Sequence, residues 1–188
     1  MVEEFFTKIY KNNVWGNEES ISGPSSTIVG TIDTRRELPK LFDRFKCQSV
    51  LDVPCGDLNW MKLVLKECNT LNYMGCDIVE ELIISHKETY KNSNNIKFMH
   101  LNMLEDTLPD ADVLICRDCL FHFSYSDTKL FLHNFLKSKT PYLLTTTHFN
   151  INSRFENKDI NTGGWRWMDL FSAPYNFPSE PIYRFKDG

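Results

Sequence analysis

The 188-residue chain has no apolar run approaching the ~20 residues that a membrane-spanning helix needs. Nor does it have a basic excess: 21 Lys and Arg stand against 25 Asp and Glu, a formal net charge of -4. The first absence argues against a membrane span, the second against a phosphate-driven grip on nucleic acid. The one basic cluster, Arg35, Arg36, Lys40 and Arg44, reads as a solvated helix face. The opening MVEEFFTKIY is acidic at its start and lacks a long apolar core, so no signal peptide is expected and the cytoplasm is the expected compartment. The cysteines, Cys47, Cys55, Cys68, Cys76, Cys116 and Cys119, lie mostly in apolar contexts that suit reduced, buried thiols. No repeat, low-complexity tract or dense carboxylate cluster for magnesium is present, and no metal is expected.

What is present is ordinary globular material, 41% hydrophobic and 24% charged, read as one domain over 1–188. Residues 1–32 combine a short amphipathic helix, with Val2, Phe5, Phe6, Ile9 and Tyr10 on one side, and a polar loop rich in glycine and serine that reads as a lid. Residues 33–150 form a core in which strands (49–54, 72–78, 96–102, 111–118, 141–149) alternate with helices (59–68, 79–92, 126–138). That alternation predicts an α/β fold: a Rossmann-like, doubly wound, mostly parallel sheet with helices on both faces. A further helix is expected between about Asp33 and Lys46, limited by Pro39. Leu130, Phe131, Phe135 and Leu136 are the expected buried stripe of the 126–138 helix. The aromatic, proline-rich tail, 151–188, is expected to lie on the acceptor side and to hold a last strand pair. It stops beside a strand-like segment, which suggests one domain of a longer polypeptide.

The stretch LDVPCGDLNW follows the first strand, where open α/β sheets bind ligands. A dinucleotide turn uses glycines to bring its amides onto a pyrophosphate. This one has Gly56 alone, with Pro54, which has no N–H, and Leu58 nearby. S-adenosylmethionine fits better, having no phosphate and a sulfonium cation that favours neighbouring carboxylates such as Asp52 and Asp57. Asp77, ending the second strand, is placed to bind two ribose hydroxyls, with Ile78 beside it. Asn102 and Met103 follow the third strand, where adenine would lie.

In order, LDVPCGD, YMGCDI, HLNML and LICRDCLFH resemble class I S-adenosylmethionine-dependent methyltransferases. The resemblance covers roughly residues 30–150 and implies a seven-stranded Rossmann-like sheet whose last strand is antiparallel. Pro54, Leu58 and a C-terminus short for a final hairpin depart from the pattern. More narrowly, NNVWGNEESISGPSS, VPCGDLNWM, CRDCLFHFS and GGWRWMDLFSAPYNFP resemble small methyltransferases that occur alone in bacteria or fused to glycosyltransferases. Among these is a domain of a glycan-building protein of large algal viruses that O-methylates a terminal deoxysugar. The resemblance implies a glycan or sugar acceptor and S-adenosylhomocysteine as product.

A sugar hydroxyl needs a base near it in the transition state. Asp118 and His122 follow the fourth strand and His148 ends the fifth, so these three are the candidates, with a carboxylate orienting a histidine as one arrangement. Each has a plainer reading: His122 bonded to a loop carbonyl, His148 facing solvent, Asp118 touching the cofactor ammonium or capping a segment. Trp15, Gly23 and Ser25 of the lid-like loop, Trp60 and Arg117 complete the candidate cofactor contacts. Trp165, Arg166 and Trp167 are either an aromatic floor for a sugar ring or core packing, and Cys116-x-x-Cys119 is a weak redox or zinc spacing. The rival readings are a methyltransferase of nitrogen acceptors, a cofactor-binding module without chemistry, and a nicotinamide oxidoreductase.

Overall fold

Five short segments flanked by polar turns become strands, and the central three are covered on both faces. The computed structural model describes residues 2–149 and 154–187. Strands β1 (Ser49–Asp52), β2 (Asn72–Asp77), β3 (Ile96–His100), β4 (Val113–Cys116) and β5 (Tyr142–Thr145) form one parallel sheet in the order β3-β2-β1-β4-β5. Leu51 of β1 sits between Met74 and Leu114 in register, and its side chain is fully buried. The chain runs outward from β1 to β3, then returns to the other side of β1 for β4 and β5. The strand order therefore reverses between β1 and β4, which opens a crevice beyond their carboxyl ends.

Five helices cover the sheet and its rim: α1 (Val2–Lys11), α2 (Ile32–Arg44), α3 (Met61–Glu67), α4 (Glu80–Thr89) and α5 (Tyr125–Lys137). One face of the sheet packs Val50, Tyr73, Phe98 and Ile115 against Leu38, Phe42, Met61 and Ile83. The other packs Leu51, Cys76 and Leu114 against Leu120 and Phe131, with Met168 and Leu170 of the tail. α1 lies across the carboxyl end of the sheet, with Phe6 edge-on to Phe123. No described helix is long and apolar enough to cross a membrane.

Three expectations are corrected. Pro39 lies inside α2 rather than bounding it. It costs the helix one N–H bond, and the burial of Leu38, Leu41 and Phe42, each worth ~1.5–3 kcal/mol, offsets the loss. The buried face of α5 is Thr128, Phe131 and the half-buried Phe135. Leu130 and Leu136 are 49% and 77% exposed, because they stand a third of a turn or more off that stripe. The tail adds no strand among the described residues, so the sheet has five parallel strands and neither the expected last strand pair nor an antiparallel edge. The boundary drawn at 150–151 falls on residues outside those described.

Restoring the missing amide should stabilise α2. Pro39→Ala is expected to gain ~1–3 kcal/mol, read as a higher Tm in thermal melts; a lower Tm would mean that the proline ring itself supports the helix packing.

Candidate active site

The turn after β1 is built around two left-handed residues, Gly56 and Leu58, both at φ 57°. A Cβ on Gly56 would lie 2.4 Å from the Ser22 hydroxyl, so glycine is required there. Leu58 takes the same backbone conformation with a side chain, and its 97% burial in the core offsets the strain. The glycine-poor turn therefore keeps a glycine-like backbone while placing a hydrophobic anchor beneath it.

The amides of this turn are occupied. Cys55 N–H donates to the Cys76 carbonyl at 2.8 Å. Gly56 N–H donates to Asp77 Oδ2 at 3.0 Å, Asp57 N–H to Ser22 Oγ at 3.1 Å and Asn59 N–H to Asp57 Oδ1 at 3.1 Å. His86 of α4 meets the Gly56 carbonyl at 2.8 Å. The lid-like loop is stitched onto this frame: Ser20 Oγ and the Ile21 amide both donate to Asp57 Oδ2, and Asn59 Nδ2 donates to Glu19 Oε1 and the Ser26 carbonyl. Asp57, expected to face a cationic ligand, lines the cavity but gives Oδ2 to the loop and Oδ1 to the Asn59 amide.

The cavity between loop, turn and strand ends is walled by carboxylates. Asp52 is buried and accepts the Tyr73 hydroxyl at 2.6 Å. Burial, with Asp77 adding repulsion, pushes Asp52 up to about 7 in spite of the Tyr73 hydroxyl. Burial also raises Asp77, against the Val79 and Gly56 amides it accepts. Arg117 is the one Lys or Arg on the described lining; it reaches Asp118 Oδ2 at 3.1 Å and lies over Trp60 at 5.4 Å. Ile78, Met103 and Asn102 close the side near β2 and β3, the Asn102 side-chain Oδ1 accepting the Leu104 amide. Pro54, Trp15 and His122 also line this space. Gly23, Ser25 and His148 stand outside it. Gly23 backs Trp15 at φ 98°, and Ser25 gives its carbonyl to Arg117.

The expected carboxylate–histidine pairing does not form. Asp118, itself at φ 50°, accepts Thr146 Oγ1 at 2.9 Å and pairs with Arg117. His122 Nδ1 meets the Gly164 carbonyl at 2.7 Å. A carbonyl only accepts, so the proton is on Nδ1 and Nε2 carries a free lone pair. Burial holds this imidazole below its ordinary value, against the carbonyl's opposite pull, so the ring is neutral at pH 7. Trp15 stacks on it, centroids 5.3 Å apart and planes 29° apart. At His148, Nδ1 faces both the amide of Met168, at 3.1 Å, and its carbonyl, at 3.3 Å. The ring is packed edge-on between Trp165 and Trp167. Trp165 and Trp167 are each 53% exposed, whereas Arg166 is buried against Tyr125 and bonds the Tyr175 hydroxyl. The stretch 165–167 is thus divided between surface and core.

Some lining residues carried no separate signal. Val2, Phe6, Ile9 and Tyr10 of α1 form a wall of the cavity, where the helical pattern pointed only to a buried face. Ser22 and Ser26, rather than Gly23 and Ser25, are the loop residues that face in. Cys116 and Cys119 are buried free thiols, and burial pushes the Cys116 thiol well up.

Residues 50–141 match the family model described as a methyltransferase domain. The chain matches no curated protein. Among solved structures it is similar to human N-acetylserotonin methyltransferase in complex with S-adenosylmethionine: 20% identity over 54% of this chain and 29% of that one, TM-score 0.46. It is similar to an O-methyltransferase family protein from Burkholderia thailandensis at 17% identity over 64% of this chain and 42% of that one, TM-score 0.45. A protein from Pyrococcus horikoshii is similar at 22% identity over 65% and 63%, TM-score 0.49. The chain spans less than two thirds of the length of each.

Asp52 gives the site a signature in stability. Folded, it keeps its proton to about pH 7; unfolded, it loses it near pH ~4. Between those values the unfolded chain binds fewer protons, so stability falls as pH rises. Asp52→Asn keeps an acceptor for Tyr73 and has no proton to lose. It is expected to match the wild type near pH 4 and exceed it by ~2–4 kcal/mol at pH 8; a Tm difference independent of pH would contradict this.

Proposed function

We propose that the protein is an S-adenosylmethionine-dependent O-methyltransferase acting on a sugar hydroxyl of a glycan, with His122 as general base. The observation that carries the cofactor is the turn at 55–59. Its amides on Cys55, Gly56, Asp57 and Asn59 are all bonded within the protein, and the wall beside it carries the carboxyl groups of Asp52, Asp77 and Asp118. A pyrophosphate would find no free donor on those four amides and would face Asp52, Asp77 and Asp118. A cationic adenosine derivative finds the charge it needs, which also weighs against the nicotinamide alternative. The donor set fits: each Asp77 oxygen accepts one backbone amide and retains capacity for a ribose hydroxyl. Met103 and the apolar face of α1 supply cover for an adenine.

S-adenosylmethionine supplies, when bound, a methyl group activated by its sulfonium. The chain's own work is alignment and proton transfer. His122, neutral and pointing its proton at Gly164, takes the hydroxyl proton at Nε2. Trp15 holds the ring plane and excludes water from one face. Beyond His122 the ring contacts continue through Phe121 to Trp165 and Trp167. Two half-exposed indoles with the His148 imidazole between them suit the C–H face and hydroxyls of a sugar ring. The glycan class rests on that platform and on the motif resemblance, which also makes a glycosyltransferase the expected working partner.

In an assay that follows gain of one methyl by mass on rhamnose- or xylose-bearing glycans, His122→Asn is expected to lower kcat by ~10²–10⁴ and leave S-adenosylhomocysteine affinity within about twofold. Methylation of amines alone, indifferent to His122, would replace this reading with that of a nitrogen methyltransferase. Asp77→Ala is expected to weaken cofactor binding by ~10-fold or more, through loss of both the ribose contacts and the Gly56 anchor. Unchanged affinity in calorimetry would remove Asp77 from the site.

A further inference from the structure

Arg117 is bound from three directions. Its Nε and Nη2 hold Asp187 bidentately at 2.7 and 3.2 Å, Nη2 also donates to the Ser25 carbonyl at 2.9 Å, and Nη1 reaches Asp118. Four of the contacts a guanidinium can make are thus used, and its face covers Trp60. Asp187 comes from the far end of the tail and lies outside the cavity lining. It also accepts the Thr34 hydroxyl of α2. The tail is fastened to the same helix a turn further on, where the Tyr183 hydroxyl donates to Glu37 at 3.0 Å and Arg44 lies over the Tyr183 ring. The Arg117 and Asp187 side chains are only 10% and 20% exposed, so this is not a screened surface pair.

We propose that Asp187 is the positioning residue for Arg117, and that the pair does two things. It orients the guanidinium so that Nη2 pins the Ser25 carbonyl, which keeps the loop 20–26 shut on the turn. It also adds a second anion to the Arg117–Asp118 pair, so that the one Lys or Arg on the described lining does not leave that pair neutral and weaken the field that favours a cationic ligand. The second effect rests on the cofactor reading above; the first does not. An Arg117 released from Asp187 keeps Asp118 as its anion, leans towards it, and loses the geometry that reaches Ser25.

The test is Asp187→Asn, which removes the charge and keeps the shape, with Tyr183→Phe as control for a tail that is merely loosened. Hydrogen exchange on the ligand-free protein is expected to be ~10-fold faster at amides 20–26 in Asp187→Asn and unchanged there in Tyr183→Phe. S-adenosylmethionine affinity is expected to fall ~10-fold and that of uncharged-sulfur S-adenosylhomocysteine ~3-fold or less. Unchanged protection of 20–26, or the same loosening in Tyr183→Phe, would overturn the positioning role. Equal losses for the two ligands would overturn the electrostatic one. If the wild type binds neither ligand, the cofactor reading fails, and the exchange result alone still decides the positioning role.

Discussion

The hydrogen bond from the Gly56 amide to Asp77 ties the turn after β1 to the end of β2, and the rest of the site is arranged around it. A bond from a backbone amide to an ionised acceptor is worth ~1.5–3 kcal/mol net. Here it also consumes a donor that nucleotide-binding turns commonly leave for phosphate. With that donor committed, Asp57 is free to fasten the serine loop, and the loop in turn places Ser22 against Gly56, where no Cβ fits. The turn and its lid are one hydrogen-bonded unit. The cost is two buried carboxylates, Asp52 and Asp77, facing the same space. Burial, with repulsion from Asp77 added, raises Asp52, and a cation would relieve the repulsion.

The two histidines beyond β4 and β5 are each held at Nδ1 by backbone of the tail. The Gly164 carbonyl fixes the His122 proton on Nδ1 and leaves Nε2 unprotonated, whereas His148 Nδ1 faces both the amide and the carbonyl of Met168. The segment that adds no strand among the described residues therefore sets the proton position on His122 and holds the His148 ring in place. Asp118 is left to anchor Arg117 rather than to orient a histidine, and burial, not a carboxylate, keeps His122 neutral.

Much of the frame was legible in the sequence because its signals are local. Apolar runs of four to six residues, alternating with helical patterns, carried the parallel sheet, and the spacing from Gly56 to Asp77 pointed to a ribose-binding carboxylate but not to its bond with the Gly56 amide. The candidates drawn from strand ends, Asp52, Asp77, Asn102, Met103, Arg117, Asp118 and His122, do meet around one cavity, as do Trp15, Pro54, Gly56, Asp57, Trp60 and Ile78. What stayed hidden depends on partners distant in the chain. Ser22 on Asp57, Gly164 on His122 and Asp187 on Arg117 leave no periodicity or spacing to read. Pro39 misled because tertiary burial outweighed a local helix penalty, and Leu130 and Leu136 because an apolar residue need not lie on the packed face.

The central claim is that this crevice selects a phosphate-free, positively charged adenosine compound. A calorimetric competition measures it directly: titrate the protein with S-adenosylmethionine, with NAD and with ADP-ribose, then repeat the first titration with each of the others in excess. The account predicts saturable binding of S-adenosylmethionine that neither pyrophosphate compound displaces. Tight binding of NAD or ADP-ribose, or displacement by either, would contradict it.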